Sequence, residues 1–518
     1  MSKSVLFAAI AVALVIAAAI AAGIYYGPSA YAQFRFRQAV DATLARELPH
    51  GSTYTYKTAN YDLAANRAVL TGLEVRGPGI GAAVNELEID GLSLSIDSDW
   101  AAALQDPDAQ TRERAVPIFD KVTINGLAVR GVTDEFRAGT VQLTGMRLYP
   151  WLRQHTAASS PGDAMSTALH ASTARGLDDV LSVLQAEGRL LLGVGCDSMT
   201  ISSIEAKEGE TLAGQPNRQT TTIRRMIFDK LDRGSVAAAL VEGLTYQGQG
   251  DGDVKVERFS VTALDLRNAL MRALTAPRME LALFDGTSLG KLEYAGVSAT
   301  PATGEKFDFD SAAVSNVAVA HGMPVSADLS LSRFRIYRAY IGNGTDAEGF
   351  DKLGLTTMTM SVSGGYRWNA ETKTAAVTDA VLKIDELGSL GLTADLAGVD
   401  TPAGLVGKAT LGHAVLRYTD ASLIERLAKS IGTEAGVTPA GVRQRMAAGV
   451  QQKAVESGNK PAVIAAAKAA AAFLTNPHTL TIEIAPAQPM TLTAFEALRG
   501  LPPESLVPKL GIKVTANN

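Results

Sequence analysis

The chain has 518 residues, of which 47% are hydrophobic and 19% are charged, and its net charge is −5. This length allows two to four domains, and the composition excludes a chain that is mostly disordered. Because Lys and Arg do not outnumber Asp and Glu, no nucleic acid partner is expected. The single cysteine, Cys196, excludes an internal disulfide and a cysteine-based zinc site, and we expect it to be a small buried hydrophobe.

The first predicted element is an apolar segment at residues 5–27, which carries no charge. As a helix it is long enough to cross the ~30 Å hydrocarbon core of a membrane. An Ala-Tyr-Ala sequence ending at Ala32 leaves a cleaved secretory signal open as an alternative. The apolar stretch is longer than the core of a typical signal, so an uncleaved anchor is favoured. Either interpretation places the bulk of the chain across the membrane.

Helical spacing follows at residues 34–46, where Phe36, Val40 and Leu44 share one side. Alternation of polar and apolar residues then predicts strands at 52–58 and 67–75, with a turn at 60–66.

A short phrase recurs along these strands, in the order apolar, polar, Gly, apolar, polar, apolar. Gly72 and Gly91 are nineteen residues apart, and Gly126 and Gly145 repeat that spacing. Looser copies centre on Gly243 and Ala263, and on Gly296 and Asn316. The repetition predicts serial hairpins, often followed by a helix, and a bend or bulge shared by their strands. Convergence among antiparallel strands is the simpler alternative.

Later segments divide into strands and a helical end. Helices are predicted at 163–189, 266–274, 419–431, 438 onward and 459–474, and strands within 355–368 and 373–399 and at 479–484. Thr438 is a helix cap before Pro439, the first helical residue. The predicted fold is mainly β (α+β): an N-terminal transmembrane helix, an elongated antiparallel sheet of repeated hairpin-helix units, and a helical C-terminal segment. The predicted regions are 1–33 (anchor or uncleaved signal), 34–160 (first hairpin repeats), 161–345 (β-rich with helices), 346–418 (C-terminal β region) and 419–518 (helical cap with a closing strand).

Motifs for chemistry are nearly absent from the sequence. None of the six histidines lies within a few residues of another, so zinc-hydrolase spacings do not occur. Gly286-Thr-Ser288-Leu-Gly290 matches the nucleophile elbow of hydrolases. That elbow must lead into a helix, whereas the residues after Ser288 alternate as a strand. Asp308 and Asp310 alternate with aromatic residues, which is typical of the solvent face of a strand. The sequence predicts no catalytic residue, no cofactor-binding residue, no cofactor and no metal ligand.

Several segments resemble the AsmA-like and YdgA-like envelope proteins of Gram-negative bacteria. The similar segments are Tyr56–Asp62, Val69–Val75, Tyr366–Lys373, Val377–Leu396 and Val415–Arg426, in addition to the N-terminal anchor. The resemblance implies a long β-groove that handles phospholipid or assists outer-membrane assembly, and a location in the inner membrane with the bulk in the periplasm. It supplies no catalytic residue.

Three functions are therefore considered. The first is a non-enzymatic, single-pass inner-membrane protein whose sheet binds or moves phospholipid. The second is a scaffold or adaptor that holds envelope proteins and has no lipid ligand. A serine hydrolase built on Ser288 is the least favoured. For most strands, packing of the apolar face against helices is preferred to an open trough.

Overall fold

The protein was analysed as a computed structural model, in which most of the chain after the N-terminal segment is described. The described residues are 29–48, 51–77, 80–92, 114–131, 134–149, 181, 184–185, 188, 191–212, 215–248, 252–302, 304–341, 345–400, 409–458, 460–498 and 501–517. They contain 20 strands and belong to two compact units, Met1–Leu292 and Glu293–Asn518. The predicted mainly-β class, with antiparallel strands, is confirmed.

The N-terminal unit begins with a helix and continues as long antiparallel strands. Its described elements are α1 (Ser29–Glu47), β1 (Thr53–Thr55), β2 (Thr58–Asp62), β3 (Arg67–Gly77), β4 (Ile80–Asp90), β5 (Val116–Arg130), β6 (Glu135–Leu148), β7 (Val194–Leu212), β8 (Gln215–Asp232), β9 (Ser235–Gly248), β10 (Gly252–Asp265), α2 (Arg267–Ala273) and a 3₁₀ turn (Leu281–Phe284). From β3 to β10 each strand pairs with the next in sequence. This is the serial hairpin arrangement that the repeated phrase predicts.

One face of this ladder is a continuous core. Phe36, Val40 and Leu44 of α1 are at most 3% exposed and join the core side chains of β2–β8. Their i, i+4 spacing puts them on one side of the helix, as predicted. Cys196 belongs to the same cluster and is 2% exposed, so the prediction of a small buried hydrophobe is confirmed. Burial, the largest influence, raises the pKa of its thiol.

The repeated glycines mark a break in the pleat of the strands. Gly72, Gly91, Gly126, Gly145, Gly243 and Gly296 all have φ between 59° and 67°, the left-handed region that favours glycine. At Gly126 the break lets Ile124 and Leu127, three residues apart, both face the core at 1% and 2% exposure. Strict period-two alternation would put them on opposite faces. The predicted irregularity shared by the strands is thus present in the backbone.

The looser copies of the phrase have the same backbone without glycine. Ala263 has φ 49° and Asn316 has φ 53°. Left-handed backbone occurs also at Ser203, Arg333 and Asp379, where no repeat was predicted.

The C-terminal unit contains the rest of the strands and most of the described helices. Its elements are β11 (Ser288–Pro301, which contains the boundary), β12 (Phe307–Ala320), β13 (Met323–Tyr337), a 3₁₀ turn (Arg338–Tyr340), α3 (Thr345–Leu353), β14 (Thr357–Asn369), β15 (Thr374–Ile384), β16 (Gly388–Ala397), β17 (Thr410–Asp420), α4 (Leu423–Ala435), α5 (Pro439–Glu456), α6 (Pro461–Thr475), β18 (Thr479–Ile484), β19 (Met490–Thr491), α7 (Leu492–Glu496), α8 (Pro503–Leu510) and β20 (Lys513–Ala516). Strands β12 to β18 pair consecutively, and β18 also pairs with β20.

In the helical C-terminal segment, the predicted helix cap agrees with the structure, whereas one predicted helix start does not. Thr438 Oγ1 accepts a hydrogen bond of 3.2 Å from the Gly441 amide, and Pro439 is the first residue of α5, both as predicted. The predicted helix start at Thr419 is wrong because Thr419 and Asp420 still pair with β16. Asp420 lies before α4 and its carboxylate accepts from the Ile424 amide at 3.1 Å.

Two further limits need correction in the N-terminal unit. The strand predicted at 52–58 is broken into β1 and β2, and the turn predicted from Asn60 begins at Leu63 because residues 60–62 pair with β3. Within the predicted helix at 163–189, the described residues Leu181, Leu184 and Gln185 are helical.

The predicted membrane anchor at residues 5–27 lies outside the described residues. Among the residues that the structure describes, no helix is both long and apolar enough to span a bilayer.

Candidate ligand-binding face

The strands of the C-terminal unit present an apolar face whose members stand opposite one another. Leu331 pairs with Val362, Val362 with Leu382, and Leu382 with Leu390, so four neighbouring strands contribute one row. Residues two positions along each strand continue the face. We call this surface the apolar face; it comprises Leu329, Leu331, Met358, Met360, Val362, Gly364, Tyr366, Ala380, Leu382, Ile384, Leu390 and Leu392.

Its centre is open to solvent. Leu329 is 58% exposed, and Val362, Leu382, Leu390 and Leu392 are 37–41% exposed. Exposed apolar side chains are ordinary when scattered, but a contiguous group of them marks a surface that binds something. The preferred interpretation from sequence, in which most apolar faces pack against helices, does not hold for this part of the sheet.

A shallow depression runs through the open area. Leu329 stands opposite Gly364, which has no side chain, and a Cβ added to Gly364 would lie 3.2 Å from the Ala380 Cβ. Gly364 and Ala380 thus form a low floor, and Leu392, which pairs with Ala380, stands on the far side. Since strands are ~4.8 Å apart, the distance from the strand of Leu329 to that of Leu392 is about 14 Å.

Three groups of side chains enclose the apolar face. At one end, Ile336, Met358 and Ile384 pack against the buried Phe350 and Leu355 of the α3 region. Along one side, Tyr418 of β17 makes an edge contact with Phe473 of α6, with ring centroids 5.9 Å apart.

The opposite end is closed by Trp368. Its indole Nε1 donates a hydrogen bond of 2.9 Å to the Val399 carbonyl, and Tyr366, Val325 and Leu396 pack around it. The open centre is therefore bordered by packed clusters at both ends and by a helix on one side.

The opposite face of the same strands is polar. Arg335 pairs with Asp308 and Asp310, both at 2.5 Å, and the Tyr337 hydroxyl donates to Asp308. Burial of the Asp308 carboxyl raises its pKa, but the hydrogen bonds from Tyr337 and Arg335 outweigh this and lower it below its ordinary value. Asp308 and Asp310 share Arg335 as a partner; Asp310 is 47% exposed, as expected for the solvent face of a strand, whereas Asp308 is only 16% exposed.

Ser288 is the first residue of β11, and the turn before it contains Gly286 at φ 76°. The residues that follow Ser288 form a strand, so the local structure differs from the strand-to-helix elbow of a hydrolase. No catalytic assignment follows for Ser288.

The apolar face is not predicted as a site by the sequence. Alternation in Val377–Leu396 predicts that those strands have an apolar side. The same sequence pattern arises whether that apolar side is buried or exposed. Gly364 and Ala380, which form the floor, are sixteen residues apart, so their contact has no local signal in the sequence.

Comparison with known proteins gives little beyond this geometry. A family described as "Uncharacterized protein" matches residues 381–517, about a quarter of the chain. The matched segment begins within β15 and contains the helical end of the C-terminal unit. Neither the curated proteins nor the solved structures gave a match.

Proposed function

We propose that this protein is a non-enzymatic envelope protein that binds phospholipid acyl chains on the apolar face of its C-terminal unit. The observation that carries the proposal is the open row of Val362, Leu382 and Leu390, together with Leu329 and Leu392 beside it. An acyl chain is apolar and needs no hydrogen-bond partner, so a face that offers only apolar contacts can bind it.

The dimensions and energetics of the apolar face agree with this ligand. A single acyl chain occupies half of a ~30 Å hydrocarbon core, or about 15 Å. Along β14 the stretch of the apolar face from Tyr366 to Met360 is six residues long, or about 20 Å, so a chain of this length fits along it. Each methylene fully removed from water contributes about 0.8 kcal/mol, so roughly ten methylenes would contribute up to about 8 kcal/mol before the cost of association is subtracted.

The experiment compares charged substitutions on opposite faces of two neighbouring strands, β15 and β16. Leu382→Asp puts a carboxylate on the apolar face, and Thr393→Asp puts one on the opposite, polar face of the neighbouring strand. Both sites are exposed, so both variants are expected to fold, which circular dichroism checks. Native mass spectrometry and lipid extraction then measure the phospholipid that co-purifies with each protein.

We expect phospholipid with the wild type and with Thr393→Asp, and at least a tenfold loss with Leu382→Asp, because a charge buried under an acyl chain is costly. Equal lipid content in the two variants, or none in the wild type, would contradict the proposal.

The same proposal places the protein in the bacterial inner membrane, with a single N-terminal span and the bulk in the periplasm. The uncharged segment at residues 5–27 and the resemblance to envelope proteins support this location. Protease added to spheroplasts should digest the C-terminal unit, whereas protection by an intact inner membrane would contradict it.

A scaffold function is the second candidate, and a separate surface favours it. Leu427 and Ile431 of α4, Met446 and Val455 of α5, and Ile464 of α6 are 38–57% exposed. Exposed apolar residues on helices are common in surfaces that bind a protein partner. A Val455→Asp variant that lost a cross-linked envelope protein but kept its phospholipid would support this second function beside the first.

A further inference from the structure

The Tyr366 hydroxyl is a buried polar group without a partner. The oxygen is shielded from solvent and makes no hydrogen bond to any of the residues that the structure describes. Leaving a buried hydroxyl unpaired costs free energy, and for this reason such groups are rare in folded proteins. A group that is retained in this state is a candidate for contact with a bound molecule.

Tyr366 lies on the apolar face, at its closed end. It is two residues beyond Gly364 on β14, so the phenol stands about 7 Å along the strand from the low floor. The cluster at its side consists of Trp368, Val325 and Leu396. A chain lying in the depression would therefore bring one of its ends to Tyr366.

The surroundings of Tyr366 specify a neutral acceptor. Burial raises the pKa of the Tyr366 phenol, and no charged neighbour contributes to that change. The adjacent Arg367 is on the opposite face, where it pairs with Asp328 at 2.7 Å. A carboxylate held here would lose its hydration without gaining a cation, whereas an ester carbonyl needs only one donor.

Extending the proposed lipid-binding function, on which it rests, we propose that Tyr366 donates a hydrogen bond to the acyl ester carbonyl of a glycerophospholipid whose chain lies in the depression over Gly364 and Ala380. The ligand is then oriented, with its ester at the Trp368 end and its chain directed towards α3. Free fatty acids, whose carboxylate would be buried without a counter-charge, are the weaker ligands.

The test uses two phospholipids that share head group and chain length but are ester-linked or ether-linked, because an ether lacks the carbonyl. Full-length protein, stripped of lipid, is titrated with each. The variants are Tyr366→Phe, which removes only the hydroxyl, and Tyr340→Phe as control, since Tyr340 is 44% exposed and lies outside the apolar face.

We expect the wild type and Tyr340→Phe to bind the ester lipid about 5-fold more tightly than the ether lipid, the value of one ordinary hydrogen bond. In Tyr366→Phe this preference should fall to about 1, while the affinity for the ether lipid stays unchanged. The lipid-free Tyr366→Phe protein should also melt about 2–4 °C higher than the wild type, because the unpaired hydroxyl has gone.

Each failure has a distinct signature. If the wild type bound neither lipid, the proposed function and this inference would both be wrong. If it bound ester and ether lipids equally, or if Tyr366→Phe kept the preference, lipid binding would stand and the role of Tyr366 would be refuted. Tighter binding of oleate than of the ester phospholipid would refute the ligand class.

Discussion

The two units use the same alternation of residues to build faces of opposite character. In the N-terminal unit Leu127 and Ile124 are at most 2% exposed and belong to a core shared with α1. In the C-terminal unit Val362 and Leu382, which pair in the same antiparallel manner, are 41% and 38% exposed. Alternation therefore decides which side of a strand is apolar, and the covering elements decide whether that side becomes core or surface.

The left-handed positions differ between the units as well. Gly72, Gly126 and Gly145 occupy them in the N-terminal unit, whereas the C-terminal unit has Asn316, Arg333 and Asp379 at φ 48–53°. A glycine adopts this backbone without the steric penalty that a Cβ introduces. Glycine thus occupies more of these strand positions in the N-terminal unit, although Ser203 and Ala263 there are left-handed too.

The largest expected effect comes from one substitution made on each face. Leu127→Ala leaves a cavity in a filled core and should lower the free energy of unfolding by about 2–5 kcal/mol. Leu382→Ala removes a side chain that is 38% exposed and should lower it by less than about 1 kcal/mol in the lipid-free protein. Denaturant unfolding, with hydrogen exchange of β5 and β15, measures both. Equal losses would mean that the apolar face is as well packed as the core.

The next effect concerns the glycine positions. Gly126→Ala should lower the free energy of unfolding by about 1–2 kcal/mol from left-handed backbone alone. The added Cβ would also lie 2.0 Å from the Asn85 side chain, which must move. Gly449→Ala is the control: Gly449 is inside α5 with open space around it, so this change should stabilise the protein by about 0.5–1 kcal/mol. A neutral Gly126→Ala would contradict the structural role of the repeat.

The strands can be predicted from the sequence because the residue pattern that indicates them is local. The recurring phrase around Gly72 and Gly126 predicts both the hairpins and the backbone break, since three-residue spacing of apolar residues around a glycine is visible in the sequence. The cap at Thr438 is equally local, because its partner is the amide of Gly441 three residues on.

The apolar face cannot be predicted in the same way, because it depends on contacts between residues that are far apart in sequence. Whether Leu382 is exposed depends on whether another element covers its strand, and the depression requires Gly364 to meet Ala380 on the next strand. Nothing near Tyr366 in sequence indicates that its hydroxyl lacks a partner. Left-handed backbone at Arg333 or Ser203 was equally hidden, because neither residue type indicates it.

A smaller effect concerns the polar side of the C-terminal unit, where Arg335 forms ion pairs with Asp308 and Asp310. The pKa of Asp308 is lowered in the folded protein, so its contribution to stability is present above the unfolded value of about 3.9 and is lost as the pH falls through the folded value. Asp308→Asn should therefore be less stable than the wild type at pH 7, and the two should converge once the pH is below the folded pKa of Asp308. Glu371→Gln, at an exposed residue of the turn between β14 and β15, should match the wild type throughout. A constant difference between Asp308→Asn and the wild type at all pH values would exclude the ion pair as its cause.

The smallest effect has the opposite sign and tests whether the looser repeats are equivalent to the glycine copies. Ala263 holds φ 49° at the place where earlier copies have glycine. Ala263→Gly removes a left-handed penalty of about 1–2 kcal/mol and adds about 0.5–1 kcal/mol of chain entropy to the unfolded state, so a gain of up to about 1 kcal/mol is expected. Ala238, which pairs with Thr262 in ordinary strand backbone, provides the control, because Ala238→Gly should lose about 0.5–1 kcal/mol. The denaturant midpoints of the two variants should therefore move in opposite directions. If both moved down, Ala263 would not share the backbone of the glycine copies, and the repeat would end before β10.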